Sequence, residues 1–349
     1  MRVKSHGFAC AVVGLARIEV VRVDSRVDRN GGGAIAECVD IVNMWVSKGI
    51  TLVETKGKLK HANNTYKTRL EPIDTVMPIV VLVNKETASA SEIASGSMQD
   101  LDRGIVIGTR TYGKGLVQNP GIQLPYNGNL KLTTAKYYIP SGRCIQAINY
   151  KHAGGGYRER VPDSLTHVFR TRLGREVRDG GGITPDVEVR PDTMANITLY
   201  LSRMDSTEVL FDYVVEYIAK HPTLPRPNEF QLTDADYEDF KQRVIKAGFT
   251  YDQVSLKQLD ELVKVAKFEG YYDDTKELFD LLRQKLTHDT ARDLDRNQKE
   301  IRQLIEQDII SAYYFQAGQL EHSLDSDKTM KEAERILNTE GEYERLLKP

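Results

Sequence analysis

An α/β core followed by a mostly α-helical region is the fold class that this 349-residue sequence predicts, and three observations predict it. Two short apolar runs rich in β-branched residues, 79–83 and 104–108, flank a segment in which Ile93, Ser97 and Leu101 recur at a spacing of four, which reads as strand, helix, strand. Further on, 121–125 and 130–139 alternate as two strands around Tyr126-Asn127-Gly128-Asn129, a hairpin signal. After Pro191 glycine becomes sparse and helix formers take over. The length exceeds one typical domain, and the shift in composition divides the chain into an α/β region over 1–194 and a helical region over 195–349.

Taken in order, the first 26 residues admit two readings. A basic start, 1–4, and an apolar run, 8–16, suit a secretion signal, but Arg17 follows at once without an evident cleavage site, so an ordinary strand is preferred. Gly31, Gly32 and Gly33 make a flexible turn, and 34–46 carries Ile35, Cys38, Val39, Val42 and Val46 at helical spacing. Residues 50–55 read as a strand, and 61–67 as a polar loop with turn-forming asparagines at 63 and 64. Residues 152–182 read as a charged, glycine-rich surface loop with a short strand around 166–170, and Pro185-Asp186 turns the chain into a last strand. In the helical region, breaks fall at 221–228, 248–250 and near Gly270, and Thr233-Asp234-Ala235-Asp236 and Ser255 mark helix starts. The longest helix is expected over about 289–318, with Leu294, Ile301, Leu304, Ile305, Ile309 and Ala312 as an apolar stripe that Tyr313, Tyr314 and Phe315 widen into a buried face.

Composition removes several functional classes. A formal charge of -2, from 48 basic and 50 acidic residues, makes no electrostatic case for nucleic acid. Cys10, Cys38 and Cys144 are widely spaced without a CxxC pair, which argues against a disulfide framework or zinc site and for small buried residues. The histidines show no HExxH pattern, so a metal hydrolase is disfavoured, and no apolar run approaches a membrane span. Residues 108–114, GTRTYGK, fit the first seven positions of a phosphate-binding loop. Gly115 then replaces the hydroxyl residue that would hold magnesium, and Pro120 interrupts the helix such a loop requires.

What remains is a serine and a lysine. Ser89 lies in a cluster of small residues at the strand-to-helix junction, where unpaired helix-start N–H groups favour an anion. Lys114 sits between Gly113 and Gly115, which let the backbone turn tightly. A serine hydroxyl attacks well only when a neighbour takes its proton, and a lysine does this when burial leaves it neutral. From these residues alone a helix cap and a solvated loop lysine remain the competing description. His61 reads as an exposed loop histidine and Ser141 as a turn cap.

The segments DRNGGGAIAECVDIVNMWVSKG, TASASEIASGSMQD, GTRTYGKGLVQ, LTTAKYYIPSGRCIQ and GGGITPDVEV, in that order over roughly 27–190, resemble the successive signatures of the carboxy-terminal processing, or tail-specific, serine peptidases. The resemblance implies a Ser/Lys endopeptidase on a crotonase-like ββα core, working without metal or cofactor. Matched position by position, Ser89 is the nucleophile, Lys114 the general base and Gln118 the glutamine that orients the lysine in some members. Asp100 falls where some members have a supporting acid. A glycine amide from Gly32 or Gly33 joins that of Ala90 in the oxyanion hole, where fixed donors are worth about 3 kcal/mol each.

Members of this family normally carry an N-terminal region and a PDZ domain ahead of the glycine loop, for which this sequence has no room. The alternative to a peptidase is therefore an inactive peptide-binding or regulatory fragment of the same fold. The implied partners are protein or peptide substrates with accessible C-termini and an adaptor or PDZ-bearing protein; the implied location is the periplasm or cell envelope. Into the helical region the resemblance extends only through YYFQAGQLEHSL.

Overall fold

The computed structural model describes residues 11–15, 18–22, 32–149, 157–158, 162–190, 193–203, 207–324 and 326–349. The readings made for 1–10 with Cys10, for Gly31, and for the loop residues 152–156 and 159–161 lie outside the described residues. Strands β1 (Ala11–Leu15) and β2 (Ile18–Arg22) pair antiparallel, the strand alternative for this stretch. Helix α1 (Ile35–Asn43) follows the glycine turn, and β3 (Thr51–Gly57) and β4 (Asn64–Lys67) come next. Then come β5 (Val80–Val83), α2 (Ala90–Asp100) and β6 (Ile105–Gly108), the strand, helix and strand read from periodicity.

Strands β7 (Leu116–Gln123) and β8 (Asn129–Tyr138) form the expected hairpin. Its left-handed positions are Tyr126 and Asn127, with φ of 61° and 59°, rather than Gly128, whose carbonyl accepts the Leu124 N–H at 2.8 Å. Two short antiparallel pairs follow, β9 (Ile148–Asn149) with β10 (Tyr157–Arg158) and β11 (Val168–Arg170) with β12 (Glu176–Arg178). Strand β13 (Val187–Glu188) then runs parallel to β6.

One sheet has the order β1-β2-β5-β6-β13, parallel from β2 onward; the other, β4-β3-β8-β7, is antiparallel. The unbroken apolar runs of β5 and β6 are what a strand needs when both of its faces are covered. Val81, Val83 and Val106 pack into one core with Val39, Val42, Ile93 and Met98 from α1 and α2. Val80, Leu82, Ile105 and Ile107 face the other way and pack on Met330, Ala333, Ile336 and Tyr343.

Those last four residues belong to α10 (Lys328–Asn338) and α11 (Glu342–Leu346), the end of a run of helices that includes α3 (Asn196–Leu201), α4 (Val209–Lys220), α5 (Asp234–Lys246), α6 (Val254–Glu269), α7 (Tyr272–Leu286), α8 (Thr290–Arg296) and α9 (Gln298–Leu324). The chain forms two compact units, 1–191 with 325–349, and 192–324. Residues 325–349, read from sequence as part of the helical region, thus return to the α/β unit. The physical reason is the second apolar face of the parallel sheet, which α10 covers with Met330, Ala333 and Ile336 at a spacing of three.

Within the helical unit Thr233 caps α5, with Asp236 three residues on completing a capping box. The helix expected over 289–318 is instead two: Asn297 ends α8, and α9 continues to Leu324. Leu294 of α8 and Ile301, Ile305, Ile309 and Ile310 of α9 are buried. Phe315, assigned to that buried face, is 75% exposed. Its φ of 55° and ψ of -157° break the helical path at that position, so the periodicity that places Ile309 inside no longer applies to it. Among the described residues no helix is long and apolar enough to cross a membrane.

Candidate active site

Ser89 is the N-cap of α2 and has φ 57° and ψ -119°. A non-glycine residue is rarely found there, and such strain costs about 1–3 kcal/mol unless the surroundings enforce it. The surroundings do. The Ser89 N–H donates to Glu92 Oε2 at 2.9 Å, and the Ser89 carbonyl accepts from the N–H groups of Glu92 and Ile93 at 2.9 and 3.0 Å. The small side chains around Ser89 follow from packing, since every residue of α2 is buried.

Gly32 lies against this junction with φ 88°. A Cβ on Gly32 would stand 2.6 Å from the Ala90 nitrogen and 2.7 Å from Ser89 Cβ, so only glycine brings the turn this close. Gly33 follows, exposed, and the Cys38 thiol of α1 donates to the Ala90 carbonyl at 3.1 Å. Burial pushes the Cys38 pKa up to about 12, which keeps the thiol a protonated donor.

Lys114 is brought in by Glu92, a carboxylate with no solvent exposure. Its Oε1 accepts from Thr111 Oγ1 at 2.5 Å and the Gly113 N–H at 2.7 Å. Its Oε2 accepts from the Lys114 N–H at 2.9 Å, and this same oxygen also holds the Ser89 N–H. Burial pushes the Glu92 pKa up, and the four donors pull it back toward the ionised form, which alone accepts from all of them. Thr111 Oγ1 also accepts the Ile183 N–H at 2.7 Å, which ties GGGITPDVEV into the same cluster. At Gly113, φ 88°, a Cβ would lie 2.4 Å from that of Ala147. The Lys114 pKa lies below the ordinary 10.5, first because its amine is partly buried and second because Lys131 of β8 adds like charge, with Glu92 opposing.

Tyr137 of β8 completes the frame. Its phenol is buried, with the hydroxyl 2.6 Å from the Lys114 carbonyl oxygen and 3.2 Å from that of Ser89. The structure therefore brings Ser89, Ala90, Gly32 and Lys114 to one place. Gln118 sits on β7 opposite Thr133, and among the described residues no hydrogen bond joins it to Lys114. The glutamine that grips the lysine loop is Gln146, whose Oε1 accepts the Gly115 N–H at 2.6 Å.

Asp100 lies at the other end of α2, about 16 Å along the helix from Ser89. There it pairs with Arg143 at 2.8 Å and accepts the Ser141 N–H at 3.0 Å, so it supports a turn rather than the lysine, and Ser141 is a turn residue. His61 is exposed. Glu92, Thr111, Tyr137 and Gln146 escaped the sequence reading. Only Glu92 carried a local signal, a glutamate three residues after a serine at a helix start.

The fold and this junction define the class, a mixed α/β core with a serine set at a strand-to-helix turn beside a buried-backbone lysine. Residues 23–152 match the family described as "Peptidase family S41", and residues 198–337 match "Probable PDZ-protease, C-terminal helical domain". A carboxy-terminal-processing protease of Bartonella bacilliformis is 41% identical over 119 residues, 34% of this chain and 27% of that protein. A chloroplastic C-terminal processing peptidase of Tetradesmus obliquus is 36% identical over 146 residues, 41% of this chain and 30% of that protein. Among solved structures, a photosystem II D1 C-terminal processing protease aligns with a TM-score of 0.35 at 24% identity, over 54% of this chain and 47% of that one. Residues 23–152 are therefore similar to peptidase family S41, and the chain is similar in part to carboxy-terminal-processing proteases. It spans under a third of the length of the two curated relatives.

Proposed function

We propose that this chain is a serine endopeptidase that cleaves proteins near their C-termini through a Ser89/Lys114 dyad. In this reading neutral Lys114 takes the Ser89 hydroxyl proton as Oγ attacks the scissile carbonyl. The alkoxide that forms is met by the amides of Ala90 and of Gly32 or Gly33, and the lysine then hands its proton to the leaving amine. Water enters by the same route in reverse and releases the acyl group. Gln118, on the strand that follows Lys114, is the assigned orienting group.

The observation that carries the proposal is the single oxygen, Glu92 Oε2, that holds both the Ser89 and Lys114 N–H groups. A helix cap and a solvated lysine need no such common anchor. The parallel pair β5 and β6, joined through α2, supports the crotonase-like assignment, and a periplasmic or cell-envelope location with a PDZ-bearing partner belongs to the same reading.

The test is cleavage of an unfolded protein from about pH 6 to pH 10 by this chain and by Ser89→Ala and Lys114→Ala. Either substitution is expected to lower turnover by up to on the order of a millionfold. The base works only when neutral, so activity rises with pH, and the limb is centred below 10.5 because burial depresses the Lys114 pKa. Persistent cleavage by Ser89→Ala would dismiss the assignment.

A further inference from the structure

We infer that Tyr137 is a positioning residue for this dyad, its hydroxyl setting the spacing between the backbone of the nucleophile and that of the base. The inference rests on the Ser89/Lys114 reading and adds to it a residue that touches neither substrate nor reacting atoms. Ser89 and Lys114 lie 25 positions apart, on segments that leave different strands, β5 and β6. Nothing local keeps them in register. What holds them is a pair of side chains acting on opposite ends of the same two residues. Glu92 Oε2 takes both N–H groups at 2.9 Å, and the Tyr137 hydroxyl reaches both carbonyl oxygens, at 2.6 and 3.2 Å.

The two anchors differ in what they leave for the other groups. The Ser89 carbonyl is already satisfied by two helix N–H groups, so the phenol is a third, longer contact there. At Lys114 it is the short contact, and it is made just where the lysine side chain departs from the backbone. The ring is fixed on its own side. Tyr137 is 1% exposed, lies in the core that contains Ile93 and Ala94 of α2, and its N–H donates to the Gly115 carbonyl at 3.0 Å. The hydroxyl thus reports the position of α2 to the lysine loop through a rigid aromatic lever. Burial also raises the phenol pKa well above its usual value, so the group remains a donor across the working pH range.

Loss of the hydroxyl frees the Lys114 carbonyl and lets the amine swing toward solvent, where it is more easily protonated. The experiment follows covalent labelling of Ser89 by a fluorophosphonate in the full chain, as a rate per labelled site against pH, for the unaltered chain, Tyr137→Phe and Tyr138→Phe. Tyr137→Phe is expected to label about tenfold more slowly, with its pH limb moved upward, while Tyr138→Phe keeps both rate and limb. Because the rate is read per site, loss of folded protein lowers the amplitude and leaves the rate. If Tyr137→Phe yields no folded protein, p-aminophenylalanine at 137, a weaker para donor, is expected to shift the limb upward by a smaller amount.

An unchanged limb in whichever variant is read overturns the positioning role while the dyad stands. An unaltered chain in which Ser89 takes no label, or labels equally after Lys114→Ala, overturns the dyad and this inference with it.

Discussion

The two ends of α2 hold buried acids in opposite ways. At the start, the hydrogen-bond donors to Glu92 among the described residues are neutral, three backbone N–H groups and the Thr111 hydroxyl. At the end, Asp100 pairs with Arg143, and Arg175 bridges Asp102 and Asp186 at 2.7 and 2.5 Å. Both arrangements suit the helix dipole, acid near the N-terminus and guanidinium groups near the C-terminus. They differ in what they do to a neighbouring lysine. Donors without charge fix the backbone around Glu92, and the Lys114 amine is held below its ordinary pKa by burial and by Lys131, against the opposing charge of Glu92. The arginine-paired end ties the SGRCIQ and GGGITPDVEV segments to the helix and carries no group placed for chemistry. Position is the job at one end, cohesion at the other.

That contrast can be broken by substitution. Arg143→Ala leaves Asp100 buried and unpaired and is expected to cost about 3–5 kcal/mol in denaturant unfolding, with the Ser89 labelling rate per folded molecule unchanged. If labelling falls in protein that remains folded, the two ends are not separable. Glu92→Gln turns an amide NH₂ toward at least one backbone N–H, which can only donate. It is expected to slow Ser89 labelling about a hundredfold, with a stability loss of about 1–3 kcal/mol that is read separately by thermal unfolding. A normal rate there would mean that the shared oxygen does not set the dyad.

Gly32→Ala sharpens the same end from the other side. At φ 88° it costs about 1–2 kcal/mol in conformation alone, and its Cβ must push the Ala90 amide away, so labelling is expected to slow more than stability falls. The smallest effect is at Phe315, whose φ of 55° is close to the 57° of Ser89 but whose exposed side chain lies in the helical unit. Phe315→Gly is expected to raise stability by up to about 1 kcal/mol, measured by denaturant unfolding, and to leave labelling alone. Strain at Ser89 is held in place by Glu92; strain at Phe315 has no such anchor among the described residues.

Much of this architecture is legible in the sequence because its signals are local. The runs 79–83 and 104–108 have the length and β-branched content of buried strands, and the small residues from Thr87 to Ser91 mark the turn between strand and helix. The break at Phe315 and the return of α10 and α11 are not legible there. Periodicity in 298–324 continues on paper through the point where the helix path turns, and an amphipathic helix does not state in its sequence which apolar face it will cover.

What the sequence determined by itself is therefore a list of parts: the strand, helix and strand around Ser89, the hairpin of β7 and β8, a serine at a helix start, a glycine-flanked lysine, and a glycine turn. Tertiary structure alone decided that one carboxylate oxygen and one phenol hold the serine and the lysine together, that the Gln146 side chain takes the Gly115 N–H, and that Asp100 pairs with Arg143. The reason is physical. Propensity and spacing act over a few residues, whereas hydrogen bonds that span 23 and 48 positions, from Lys114 and from Ser89 to Tyr137, exist only once the sheets have packed and excluded the water that would otherwise satisfy the same groups.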